Sequence, residues 1–104
     1  MTTKGKVMDK KEYSETERLA RNDTAIEIMA ARIGMCITRI IEEKNKPEDE
    51  RDEKLLERLY KERSILAKER QRMYKGDEEI REKILDVYSK EVKAYYIQDK
   101  ENVL

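Results

Sequence analysis

A few charged residues of this chain stand at positions where the helical pattern predicts apolar residues, and they are its candidates for ion pairing or anion binding. Arg63 and Arg70 stand one heptad apart within the apolar pattern of the second predicted helix, and Glu91 stands within that of the third. A guanidinium taken partly out of water needs a carboxylate, and its planar fork fits one. Folding the predicted helices back on each other brings Arg63 close to Glu91, which predicts a structural ion pair. The alternative is a cleft in which Arg63 and Arg70 bind an anion or an acidic partner.

The most basic stretch of the chain is residues 61–75, with six basic and two acidic residues. A nucleic acid would be bound there through its phosphates, with Tyr60 and Tyr74 available to stack on bases. The same distribution arises without a ligand, because basic residues favour the C-terminal half of a helix that begins with acids. Nucleic-acid binding is therefore the alternative interpretation. The residues that would make the contacts are Lys61, Lys68, Arg70, Arg72 and Lys75.

The sequence lacks the residue types that most catalytic sites require. The chain has no histidine, one cysteine and three isolated glycines. A Ser-His-Asp triad, a histidine metal site and a glycine-rich phosphate loop are thereby excluded. Cys36 lies on an apolar helical row with no histidine to act as its base, so we interpret it as a packing residue. We expect no enzymatic activity, cofactor, metal or small-molecule substrate.

Composition favours an all-α protein of one domain. The 104 residues are 46% charged and 38% hydrophobic, which is near the lower limit for a chain that folds alone. Charge is balanced at 24 basic against 24 acidic residues, so no global field draws the molecule to a polyanion. The single proline and three glycines are too few for the turns of a sheet, whereas helix formers dominate.

Start and stop signals divide the chain into helices. Ser14 and Glu17 fit a capping box, Pro47 separates the first helix from the second, and Gly76 followed by Asp77 separates the second from the third. Short connections predict an elongated antiparallel three-helix bundle, made of a long helical hairpin and a third helix. The predicted segments are a flexible lysine-rich arm at residues 1–12 and a single helical domain at 13–104, with helices at about 14–45, 47–75 and 77–99.

The first helix carries two apolar rows. The broader row predicts the core face, and its members are Ile26, Met29, Ala30, Ile33, Cys36, Ile37, Ile40 and Ile41. Ile28 and Met35 stand outside it, one heptad apart, with the small residue Ala31 beside them. We expect this second seam to pair with another copy or with a partner helix, and Tyr96 to extend the contact surface. The alternative is that these are scattered exposed apolar residues without a function.

These observations favour a protein that works by contact. The N-terminus has no apolar run of the kind found in signal peptides or membrane spans, and a single cysteine is typical of the reducing cytoplasm. We expect a non-enzymatic regulator, inhibitor or adaptor that binds another protein through a helical face, and we expect a homodimer. By analogy, its size and charge suit accessory proteins of phages and plasmids, such as toxin neutralisers or host-defence inhibitors. The alternatives are a nucleic-acid-associated regulator and a purely structural homo-oligomer.

Overall fold

The structure, a computed structural model, describes residues 13–103 and the side chains of residues 13–98. Within that range it contains helices and no strand, which confirms the all-α class. The principal extents are 64 × 32 × 23 Å. Across the described range, none of the helices is both long and apolar enough to cross a membrane. The arm predicted at residues 1–12 lies outside the described residues.

Helix α1, Glu15–Lys44, begins at the predicted capping box. The Ser14 backbone N–H donates to Glu17 Oε1 at 2.8 Å, and the Glu17 backbone N–H donates to Ser14 Oγ at 3.1 Å. Two of the amides that have no partner within the helix are satisfied in this way. The helix then continues without a break to Lys44, about 45 Å at 1.5 Å per residue.

The connection to the second helix differs from the prediction. A 3-10 turn, Glu48–Glu50, follows Pro47, and helix α2, Glu53–Tyr74, begins only after the N-cap Asp52. The reason is a contact made by Glu43, which is 4% exposed. Its carboxylate accepts from the Asp52 backbone N–H at 2.7 Å and from Lys46 Nζ at 3.0 Å. The bond from the Asp52 backbone is the main cause of a lowered pKa at Glu43, and the bond from Lys46 adds to it. Both bonds hold the chain in place just before α2.

Helix α2 ends just before Gly76, as the sequence predicts. Gly76 has a φ of 87°, in the left-handed region that a residue with a Cβ avoids. The Asp77 backbone N–H donates to Arg72 O at 3.0 Å, the long bond of a Schellman motif. Asp77 then caps the next helix by accepting from the Ile80 backbone N–H at 3.2 Å. Arg72 donates to the Asp77 carboxylate at 2.9 Å and is the main cause of its lowered pKa.

The third helix contains a π-helical segment. It is continuous through α3, Glu78–Lys83, the π segment, Ile84–Tyr88, and α4, Ser89–Val103. The Ser89 backbone N–H donates to Ile84 O, five residues back, and Ser89 Oγ donates to Leu85 O at 2.6 Å. The wider turn lets Ile80, Ile84 and Tyr88, four residues apart, all stay buried on one side.

Contacts of helix α1 with the other two helices give the direction in which each helix runs. Cys36 Sγ donates to Leu59 O of α2 at 3.3 Å, and Arg32 pairs with Glu62 further along, so α1 and α2 run in opposite directions. Arg21 pairs with Glu82 of the third helix, and Arg32 also pairs with Glu91, so that helix runs in the same direction as α1. The core between the helices consists of Ala25, Met29, Cys36, Ile40, Leu56, Leu59, Leu66, Met73, Ile80, Ile84 and Tyr88.

Candidate functional site

An ionic centre at Arg32 joins all three helices. Arg32 Nε donates to Glu91 Oε1 of α4 at 2.8 Å, and Nη2 lies 2.8 Å from a carboxylate oxygen of Glu62 on α2. The predicted pairing of Arg63 with Glu91 is therefore wrong. Arg63 is exposed, because the side of α2 that carries it is not the side turned to the third helix. Sequence reasoning missed Arg32, and its position four residues before the apolar Cys36 was the available signal.

Arg32 is 9% exposed, and it keeps its charge despite that burial. Burial opposes the charged form, but the hydrogen bond to Glu91 and the ion pair with Glu62 outweigh it and raise the pKa of Arg32. The guanidinium carbon also lies 5.5 Å from the centroid of the Tyr88 ring. Nη1 is buried and has no hydrogen-bond partner among the described residues. The arrangement fixes the helices, since both carboxylates are already bound to one cation.

A second buried charge cluster lies beside the π segment. Glu69 of α2, 7% exposed, accepts from Lys83 Nζ at 2.7 Å and from the Tyr88 hydroxyl. Burial is the main cause of a raised pKa at Tyr88, and the bond to Glu69 adds to it. The hydrogen bond that Lys83 donates to Glu69 is the main cause of a raised pKa at Lys83. The cluster is internally satisfied and contains no free base or nucleophile.

A groove beside Arg32 and the thiol of Cys36 are two further candidate sites, and in both the candidate group is already paired or buried. A groove of about 240 Å³ between α2 and the third helix has the already paired Arg32, Glu62 and Tyr88 in its wall. Cys36 is fully buried, and burial is the main cause of the raised pKa of its thiol. A raised pKa and a buried sulfur are the reverse of what a reactive thiolate needs. Among the described residues no cluster of three His, Cys, Asp or Glu side chains is arranged to bind a metal.

The seam predicted for partner binding is largely covered by the chain itself. Met35, expected outside the core face, is 4% exposed, and Ile28 is half-buried and packs against the core. Ala31 is also half-buried. The third helix lies on this side of α1, where Arg39 stacks over the Tyr95 ring at 5.5 Å. The expectation that this seam faces outward is therefore wrong for Met35.

Tyr96 remains exposed at the far end of the third helix. Its ring packs edge-on against the neighbouring Tyr95, with centroids 5.4 Å apart and an angle of 78° between the rings. Ile97 beside it is also exposed. The predicted contact role of Tyr96 is compatible with its exposed position. Tyr96 and Met35 do not form one contact surface, because Met35 is buried.

The row predicted as core on α1 is confirmed for Met29, Cys36 and Ile40, which are buried, and Ile26 and Ile33 pack against the core. Ala30 and Ile41 of that row are exposed. At 100° per residue, Leu19, Ile26 and Ile33 are turned about 140° from the side of α1 that pairs with the third helix. On α2, Tyr60, Ala67 and Tyr74 are turned about 150° from the side that carries Glu62 and Glu69. Both rows therefore lie on the side of the α1–α2 hairpin that is remote from the third helix. This hairpin face consists of Leu19, Ile26, Ile33, Ile37 and Ile41 from α1 and Tyr60, Arg63, Ala67, Arg70 and Tyr74 from α2.

The two rows of the hairpin face are level with each other. The antiparallel register that places Cys36 beside Leu59 continues at steps of seven residues on both helices. By this register, Ile33, Ile26 and Leu19 lie within two residues, about 3 Å, of the level of Tyr60, Ala67 and Tyr74, respectively. Arg63 and Arg70 follow α2 between the rows, both exposed.

The residues predicted to contact nucleic acid do not form one surface. Lys61, Lys68 and Lys75 recur every seven residues on the outer side of α2 and are exposed. Arg72 is bound to Asp77 at the end of the helix. Arg70 points to the hairpin face, and its guanidinium carbon lies 5.3 Å from the Tyr74 ring centroid. What remains on the outer side is a single row of lysines.

Comparison of the chain with models of known protein families, with curated proteins and with solved structures gives no match. The surface of the protein itself is therefore what indicates its function.

Proposed function

We propose that this protein is a small non-enzymatic regulator, inhibitor or adaptor that acts by binding another protein through the hairpin face. The supporting observation is the exposure of large apolar side chains along that face: Leu19 is 61% exposed, Ile41 51%, Tyr60 43% and Tyr74 56%. Several large apolar side chains exposed along one face of a small protein are typical of a contact site. The proposal moves the contact from the Ile28 and Met35 seam, which the third helix covers, to the opposite side of α1.

The architecture that goes with this proposal is an elongated antiparallel three-helix bundle in which the third helix covers one side of a long hairpin. The opposite side then has no covering helix within the described chain. The homodimer, the cytoplasmic location and the phage or plasmid origin stay predictions. Met35 no longer supports the dimer, because a residue that is 4% exposed offers no surface to a second copy.

The proposal is tested by recovering the tagged protein from the organism that encodes it, using two matched variants. Ile41→Glu places a charge on the hairpin face, and Ile65→Glu places the same charge on another side of α2. The two isoleucines are similarly exposed, at 51% and 55%, so neither change disturbs the core. We expect a protein recovered in stoichiometric amount by the unmodified chain and by Ile65→Glu, and lost with Ile41→Glu.

Two results would contradict the proposal. If nuclease treatment abolishes recovery, the contact moves to the lysine row of Lys61, Lys68 and Lys75, and affinity should fall steeply as salt rises. If both variants recover the same protein equally well, the hairpin face is not the contact. Circular dichroism of each variant establishes beforehand that the helices are retained.

A further inference from the structure

The hairpin face carries two arginines between its apolar rows. Arg63 and Arg70 are one heptad apart on α2, which separates them by about 10.5 Å along the helix. On one side of them lie Ile26 and Ile33 of α1, and on the other lie Tyr60, Ala67 and Tyr74 of α2. A molecule seated on the apolar rows therefore also covers both guanidinium groups.

Neither arginine has a carboxylate within the described part of the chain. The ion pairs there use other cations, and the arginines among them are Arg21, Arg32, Arg72 and Arg81. Arg70 instead stacks over the Tyr74 ring. Covering a guanidinium without giving it a partner is unfavourable, because it loses water and gains no hydrogen bond. The occupant of the face must then bring its own acceptors.

This requirement disfavours a second copy of the chain as the occupant. Packing two hairpin faces together would place Arg63 and Arg70 of both copies in one interface. Like charges brought together in an interface are unfavourable. A purely apolar helix is disfavoured as well, since it would leave both arginines unpaired.

We propose that the hairpin face binds an amphipathic helix of another protein in which carboxylates one heptad apart stand among apolar residues. Each carboxylate accepts from one of Arg63 and Arg70, whose forks suit bidentate pairing. The apolar residues of the partner pack on the two rows, which span about 33 Å from Leu19 to Ile41, or about six turns of a partner helix. This inference depends on the proposed function, because it specifies the partner of the same face.

The test uses labelled synthetic peptides of about 20 residues, roughly 30 Å of helix. All share one amphipathic pattern and differ only in having Glu, Gln or Lys at the heptad positions in the centre of the apolar side. A scrambled Glu peptide of the same composition controls for non-specific attraction. By fluorescence polarisation, we expect the Glu peptide to bind about tenfold tighter than the Gln peptide, from two partly exposed ion pairs. The Lys peptide and the scrambled peptide should bind more weakly still.

The matched variants are Arg63→Gln with Arg70→Gln, and Lys61→Gln with Lys68→Gln. Both pairs remove two exposed positive charges from α2, but only the first pair lies on the hairpin face. The arginine variant should lose the preference for Glu over Gln, and the lysine variant should keep it. Thermal unfolding of both variants verifies the fold.

The possible failures are distinguishable. Equal binding of the Glu and Gln peptides, weakened by Ile41→Glu, would overturn this inference and leave the hairpin face as an apolar contact site. Sedimentation of the pure chain as a dimer that Ile41→Glu dissociates would overturn it in favour of a second copy. Binding of none of the peptides overturns it as well, and the recovery experiment then decides separately whether the proposed function stands.

Discussion

Arg32 of α1 donates to Glu91 of α4 at 2.8 Å, and this bond sets the level at which the third helix lies along α1. The same guanidinium pairs with Glu62 of α2. One residue thus links two other helices to the first.

Replacing this arginine should therefore cost far more stability than replacing an exposed one. We expect Arg32→Met to lower the free energy of unfolding by about 2 kcal/mol, because Glu62 and Glu91 lose a charged donor at a largely buried position. Arg63→Met, on the exposed hairpin face, should change it by less than about 0.5 kcal/mol. Urea unfolding followed by circular dichroism measures both. A larger loss for Arg63→Met than for Arg32→Met would restore the Arg63–Glu91 pair that the sequence predicts.

The Glu69 cluster should make the protein sensitive to alkali. The pKa values of Tyr88 and Lys83 are raised in the folded state above their ordinary values of 10.0 and 10.5. Folding therefore favours the protonated form of both groups. Their contribution to stability is fully present below pH 10.0 and is lost as the pH rises through the raised values. Melting temperatures measured from pH 8 upward should accordingly fall beyond pH 10.0.

Tyr88→Phe separates this effect from general alkaline unfolding. It should lower stability at neutral pH by about 1–3 kcal/mol, because Glu69 loses a donor inside the protein. It should also flatten the decline above pH 10.0, since one of the two groups no longer titrates. Tyr60→Phe, at an exposed tyrosine, is the control and should alter neither quantity. An unchanged alkaline profile in Tyr88→Phe would remove Tyr88 from the explanation.

Replacing Gly34 or Gly76 with alanine should change the free energy of unfolding in opposite directions. A Cβ at either position meets no atom within 4 Å, so backbone conformation alone decides. Gly76→Ala should cost about 1–2 kcal/mol, because its φ of 87° is left-handed. Gly34→Ala, within α1, should stabilise by about 0.5–1 kcal/mol. Denaturant midpoints measure both, and a stabilising Gly76→Ala would contradict the left-handed end of α2.

Cys36 should be unreactive until the protein unfolds. It is fully buried, and burial raises the pKa of its thiol. A chromogenic disulfide reagent should react with the native protein only at the rate at which the core opens, and at once in denaturant. Rapid reaction of the native protein would show that the α1–α2 contact at Cys36 and Leu59 opens readily.

Local signals in the sequence were sufficient for most helix ends. The capping box at Ser14, the glycine at position 76 and the cap at Asp77 are each satisfied within a few residues, so they can be predicted without knowing the fold. The start of α2 could not be predicted in this way. It depends on the buried Glu43, which accepts from Asp52 nine residues further on.

The assignment of faces on α1 required information from another helix. Apolar residues occur on both flanks of its core side, so periodicity alone does not say which flank the third helix covers. The structure places that helix over Ile28 and Met35 and leaves Leu19 and Ile41 exposed. The pairing of Glu91 was missed for the related reason that its true partner is on α1 rather than on α2.

The π segment at Ile84–Tyr88 means that the direction of the side chains after it depends on how many residues the segment winds into its turn, not on which residues they are. If the same residues were wound as a regular α-helix, everything after them would be rotated by about 100°. Glu91 would then turn away from Arg32, whereas removing one residue together with the wider turn would leave the direction of Glu91 unchanged. A gapless alignment of this helix with a regular one would consequently match residues correctly before position 84 and mismatch their orientation after position 88.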